Sequence, residues 1–274
     1  MNSPRFYKMT GSGNDFIMLD GRDGTADQWP AARIREICDR RSGVGADGFV
    51  ILEPDASGAV RMNFWNLDGG RAAMCGNAAL CSTRLAVRLG MAEESGMQLL
   101  TDAGTLSTRC VGPGHMAEIN LSEFALPAPV PAIALEPGER SVALVTVGVP
   151  HLVVVVDDIE AVDLARRGRE LRLHPALGAP GANANFVSAP RTAGSPWLIR
   201  TYERGVEGET LACGTGTVAA GVALAAAGVA ELPIGFVSRG GAPLSVAGQI
   251  GNGRAVNVWL CGEGRLVFTG ELAS

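Results

Sequence analysis

Apolar positions in this chain fall into runs of two kinds. Short apolar or alternating runs bounded by Gly, Asp or Pro predict strands over 17–19, 49–52, 60–65, 97–100, 144–147, 152–156, 197–202 and 255–260. Longer stretches predict helices over 29–40, 76–89, 164–171 and 214–227. The second and fourth helices are apolar on nearly every face, and no charged residue lies between Gly214 and Ala230. A helix of that kind is normally buried all round. Both end at a glycine, and both open on a Cys-Gly pair, in Met74-Cys75-Gly76-Asn77 and Ala212-Cys213-Gly214-Thr215-Gly216. Each therefore places a cysteine at a helix N-terminus.

The pattern occurs twice. Gly11-Ser-Gly-Asn14, running on to Asp20, is answered by Gly148-Val-Pro-His151, running on to Asp157. Gly45-Ala-Asp-Gly-Phe49 is answered by Gly181-Ala-Asn183-Ala-Asn-Phe186, and Phe64-Trp-Asn66 ahead of Cys75 by Thr201-Tyr-Glu203 ahead of Cys213. Thr101-Asp-Ala-Gly104 is answered by Ser238-Arg-Gly-Gly241. The matched positions lie 136 to 138 residues apart. One such match is commonplace, because Gly-rich turns often precede apolar strands. Four in the same order at a near-constant offset mark two homologous halves.

The expected fold is α/β of the α+β type, with two pseudo-symmetric halves. Each is a mainly antiparallel sheet wrapped around a buried central helix, with the active site in the cleft between them. The halves are 1–125 and 126–264, and the Pro-rich stretch 126–137 reads as a linker.

Composition narrows the partner. The chain has 274 residues, 47% of them hydrophobic, with a net charge of −5 and scattered basic residues. This favours a small-molecule partner over nucleic acid or an anionic membrane. The first nine residues lack the pattern of a secretory signal, and the longest bland apolar run, 218–230, is too short to span a bilayer, so a cytoplasmic location is expected. The six cysteines show no Cys-x-x-Cys spacing, so reduced thiols and no metal are expected. Lys8 is the only lysine, and a pyridoxal-phosphate Schiff base would have to use it or none. No cofactor is expected.

A lone cysteine is usually an inert small hydrophobe. Cys75 and Cys213 differ, because a helix N-terminus lowers a thiol's pKa and the duplication makes them a facing pair. Cys38, Cys81, Cys110 and Cys261 lack that context and read as structural. The backbone N–H groups of Gly76, Asn77, Gly214 and Thr215 suit a substrate carboxylate, and N-capping by Asn77 and Thr215 is compatible with that role. A thiolate on one side of a carbon and a thiol on the other is what stereochemical inversion needs. Asn14, Asn66, His151, Asn183, Glu203 and Arg204 stand at turns or strand ends in the repeated blocks. Singly, each fits an ordinary turn or surface position; together they offer donors and acceptors to an amine and a second polar group. Asp47 and Asp157 are assigned to turns.

The motifs around Asn14, Gly45-Ala-Asp-Gly, Asn66-Leu-Asp-Gly with Met74-Cys75-Gly76-Asn77, Pro150-His151, Asn183 and the run from Glu203-Arg204-Gly to Cys213-Gly-Thr-Gly together resemble the diaminopimelate epimerases over essentially the whole chain. The resemblance implies pyridoxal-independent interconversion of LL- and meso-diaminopimelate for lysine and peptidoglycan synthesis, usually by a homodimer. It implies Cys75 and Cys213 as the acid/base pair, with the backbone of Gly76, Asn77, Gly214 and Thr215 on the reacting carboxylate. Asn14, Asn66, Asn183, Glu203 and Arg204 would bind the rest of the substrate, with His151 and Glu203 close to the reacting centre. It also implies that 265–274 return to the first half.

The chain departs from the family pattern at Val149, where an asparagine is common, at Ala78-Ala79-Leu80, and by an extra residue in Gly205-Val-Glu-Gly-Glu. Val149 removes an amide that would bind the distal end of diaminopimelate. That keeps open a related racemase for histidine or hydroxyproline, and a non-catalytic sensor with a reversible disulfide stands as the alternative from another class.

Overall fold

The computed structural model describes residues 3–24, 26–192 and 194–273. In chain order the main elements are β1 (Arg5–Gly11), β2 (Asn14–Asp20), α1 (Ala31–Cys38), β3 (Gly48–Pro54), β4 (Val60–Asn66), α2 (Gly76–Arg88), β5 (Met97–Thr101), β6 (Gly104–Cys110) and β7 (Met116–Leu121). They continue with β8 (Phe124–Ala125), β9 (Ala128–Pro129), β10 (Glu139–Val147), β11 (Val149–Val156), α3 (Arg169–Arg172), β12 (Asn183–Ser188), β13 (Trp197–Glu203) and β14 (Gly208–Thr210). The last are α4 (Gly214–Ala226), β15 (Ile234–Val237), β16 (Pro243–Gly251), β17 (Arg254–Glu263) and β18 (Arg265–Glu271). Two compact units result, Met1–Asn120 with Cys261–Ser274, and Leu121–Leu260.

In the first unit β18 pairs with β1 antiparallel, and the sheet runs on from β1 to β2 antiparallel, β3 parallel, β4 antiparallel, β5 parallel and β6 antiparallel. The second unit repeats the same senses from β10 through β11, β12, β13 and β15 to β16. Its register repeats too: Phe16 opposite Gly48 becomes Leu152 opposite Ala184, displaced equally on both strands. The fold is thus mixed α/β, with mainly antiparallel pairing and two repeated halves.

The strands β2, β3, β11 and β12 carry consecutive buried residues, not alternating ones. Sheets covered on both faces read this way. In the first unit Phe6, Ile17, Leu19, Phe49, Ile51 and Trp65 pack with Ile34 and Ile37 of α1, while α2 lies against strands β1 to β6 and β18. In the second unit α4, uncharged throughout, lies against β10, β11, β12 and β16.

Three expectations are corrected. The helix foreseen over 29–40 starts at Ala31, because Pro30 holds its predecessor out of the helical region. The helix foreseen over 164–171 is a π turn, Leu164–Gly168, followed by the single turn of α3. The wide turn accompanies burial of Arg167, whose guanidinium meets Glu139 at 2.8 and 2.9 Å. The Pro-rich stretch 126–137 is not a bare linker: β9 pairs with β10, and Ile133 is part of the second core.

Candidate functional site

Both cysteines sit where the sequence placed them. Cys75 is the N-cap residue of α2 with φ −139° and ψ 125°, and Cys213 that of α4 with φ −130° and ψ 110°. An N-cap side chain normally satisfies a first-turn N–H; neither thiol does so. Asn77 does not cap its helix either, since its buried Oδ1 accepts no hydrogen bond among the described residues. Each helix thus presents its first N–H groups beside a sulfur.

In the first unit the buried Asn77 amide donates to Asn14 Oδ1 at 2.7 Å, and Asn14 Nδ2 donates to Asp47 Oδ2 at 3.0 Å. Asp47 in turn accepts from Arg40 at 2.8 Å, and Arg40 grips Asp15 at 2.6 Å. Lys8 completes the chain, 2.8 Å from Asp15 and hydrogen-bonded to the Gly45 carbonyl. Burial alone would raise the Asp15 carboxyl, but hydrogen bonds from Arg40 and Lys8 outweigh it and hold the group well below the usual carboxylate range. The ammonium of the only lysine is therefore committed to an ion pair. Asn66 is exposed at the end of β4, where its backbone closes a turn with Gly69 and Gly70.

The second unit buries its polar residues more deeply. His151 is fully enclosed, with Nδ1 3.5 Å from Asn183 Nδ2 and 3.3 Å from Asn185 Nδ2. Burial, aided by the Arg204 charge, lowers its pKa to about 3, so the ring is neutral at physiological pH. Asn183 Oδ1 accepts from the Arg204 backbone N–H at 2.8 Å, which ties β12 to the loop after β13. Burial raises the Glu203 carboxyl above its ordinary value. Cys213 Sγ lies 3.7 Å from Thr215 Oγ1.

The enclosed His151 predicts a pH effect. Its folded pKa lies below the unfolded value near 6.5, so the unfolded chain binds the extra proton between the two values and stability falls with falling pH there, by about 1.4 kcal/mol per unit. Thermal midpoints between pH 6.5 and 5 should show this slope in the native chain and a shallower one in His151→Gln.

The family model described as diaminopimelate epimerase matches residues 6–123 and 143–258. The chain belongs to the diaminopimelate epimerase family. It is 43% identical to the diaminopimelate epimerase of Gemmatimonas aurantiaca, covering 98% of this chain and 99% of that one. With the Aquifex aeolicus diaminopimelate epimerase it shares 33% identity over 88% of each. Among solved structures, a phenazine biosynthesis protein of the PhzF family from Bacillus anthracis superposes with TM-score 0.71 at 13% identity, with full coverage of both chains. A hydroxyproline epimerase from Agrobacterium vitis superposes at 0.65 and 20% identity, covering 100% of this chain and 94% of that one. At such identities these two establish the fold alone.

Within this family member, the structure brings Asn14, Asn77 and the start of α2 together in one unit, and His151, Asn183 and Arg204 together in the other. Val149, the departure from the family pattern, is half-buried at the start of β11, opposite Val147. Of the remaining cysteines, burial pushes Cys38 up to about 11, Cys81 well above its ordinary value and Cys110 upward. Sequence reasoning missed Asp47, taken for a turn residue, which anchors Asn14 and binds Arg40. It also missed Asn185. The signal for Asn185 was its spacing of two from Asn183 in a strand, which puts both amides on one face.

Proposed function

We propose that this chain interconverts LL- and meso-diaminopimelate by two-base proton transfer, with Cys75 and Cys213 as base and acid. The observation that carries the mechanism is the repeated N-cap geometry: two thiols, each at the start of a buried helix whose first N–H groups its own side chain leaves uncapped. The N–H groups of Gly76, Asn77, Gly214 and Thr215 hold the reacting carboxylate, and the helix dipoles favour both that anion and a thiolate. One sulfur removes the α-proton while the other delivers a proton to the opposite face, and their roles exchange in the reverse direction. The reaction requires both half-sites to act on one α-carbon.

Asn14, Asn66, Asn183, Glu203 and Arg204 bind the amine and the distal group, and His151 and Glu203 stand near the reacting carbon. The committed ammonium of Lys8 supports a route without a pyridoxal Schiff base. Family membership supports a homodimer serving lysine and peptidoglycan synthesis in the cytoplasm. No helix among the described residues is long and apolar enough to cross a membrane.

The direct test is conversion of LL- to meso-diaminopimelate by the purified chain in thiol reductant without added cofactor; no conversion contradicts the proposal. Asp47→Ala tests the anchoring of Asn14. It removes the acceptor that orients the amide, so KM should rise about 10-fold, the effect of losing one hydrogen bond of ordinary worth, while kcat stays within a few-fold. Steady-state kinetics on both substrates check this.

A further inference from the structure

The hydrogen-bond partners of His151 leave its ring one consistent tautomer. Asn185 is fully buried on β12, and its Nδ2 lies 2.9 Å from the Leu152 carbonyl, which can only accept. Its Oδ1 lies 3.0 Å from the Thr201 hydroxyl on β13. The amide orientation is therefore fixed, and an N–H of Asn185 faces His151 Nδ1. Asn183 leads to the same result independently. The Arg204 backbone N–H can only donate, so Asn183 Oδ1 must face it and Asn183 Nδ2 must face Nδ1. Two amide donors around Nδ1 require a lone pair there, which leaves the proton on Nε2. That Nε2 is buried and has no hydrogen-bond partner among the described residues.

We infer that Asn185 is a positioning residue that locks His151 in the Nε2–H tautomer, so that the imidazole meets the substrate as a hydrogen-bond donor and not as a proton acceptor. A buried N–H without a partner is satisfied when an acceptor arrives. The acceptor is a carboxylate oxygen of the amino acid, whose charge grows as the α-proton leaves. A fixed neutral donor aimed at developing charge needs no rearrangement during reaction. Asn185 also borders the start of α4, because a Cβ added at Gly216 would lie 2.2 Å from its Oδ1. The same amide therefore links the imidazole to the helix that carries Cys213. The statement about substrate rests on the proposed epimerase reading, whereas the tautomer does not.

The test separates the two. Two-bond ¹⁵N–¹H correlation spectra of the full chain with labelled histidine, without substrate, read the protonation of each ring nitrogen, and His151→Gln assigns the signal among the three histidines. The wild-type spectrum should show His151 protonated at Nε2 alone, and Asn185→Leu should show Nδ1 protonation or a mixture. Asn185→Ala serves if the larger side chain prevents folding. Turnover of diaminopimelate in the folded variant should fall about 10- to 100-fold in kcat with KM nearly unchanged, the cost of losing one or two hydrogen bonds of ordinary worth in the transition state. Nδ1 protonation in the wild type, or an unchanged tautomer in the Asn185 variant, overturns the inference. A correct tautomer in a chain that fails to turn over diaminopimelate would sink the epimerase reading instead.

Discussion

Cys75→Ala and Cys213→Ala should each lower epimerisation of diaminopimelate by about 10³-fold, within the range attributed to loss of a positioned acid or base. The substitution is well suited to the question. Neither sulfur caps its helix, so truncation removes no cap hydrogen bond, and the extended N-cap backbone is open to alanine. Thermal midpoints should therefore stay close to the native value while turnover collapses. Cys81→Ala gives the contrast: its sulfur is fully buried, and its loss should cost packing with less effect on the chemistry. Near-normal turnover in either single N-cap variant would exclude the two-thiol mechanism.

Gly216→Ala should be the second most damaging change. Alanine in a helix interior normally gains about 1 kcal/mol over glycine. Here the new methyl would lie 2.2 Å from Asn185 Oδ1 and 3.2 Å from Cys213 Sγ. Asn185 cannot withdraw, since the Leu152 carbonyl and Thr201 hold its amide in a buried strand. The start of α4 must move instead. The expected result is a net loss of about 1–3 kcal/mol, as for other overpacked sites, and a fall in turnover of about 10²-fold, as a displacement near 1 Å can cause. Gly251→Ala, with nothing within 4 Å of the added carbon, is the neutral reference. A Gly216→Ala chain with native midpoint and turnover would refute the tight approach. The corresponding position in the first unit, three residues after Cys75, is the buried Ala78, so α2 already accommodates a methyl group there.

What could be read from the sequence follows from the range of the forces involved. The helices over 76–89 and 214–227 emerge as Gly76–Arg88 and Gly214–Ala226, because a long, almost uncharged stretch ending at glycine has few other solutions. The repeat was legible because duplicated turns keep their glycines. The hairpin strands β6 and β16 were missed, since their mixed polarity lacks a clean apolar period. The Lys8–Asp15–Arg40–Asp47 network was invisible, because ion pairs between distant positions leave no local pattern. His151 was expected at a turn or strand end, and the structure encloses it on all sides near the start of β11. Enclosure by neighbouring strands is a tertiary property that no window of sequence contains.

The measurement that bears most directly on the central claim is α-proton exchange in heavy water, run on the purified, reduced chain against LL-diaminopimelate, meso-diaminopimelate, histidine and hydroxyproline. A two-thiol diaminopimelate epimerase incorporates deuterium at the α-carbon of both diaminopimelates as they interconvert, and leaves the other amino acids untouched. Exchange confined to histidine or hydroxyproline, or none with any of the four, would contradict it.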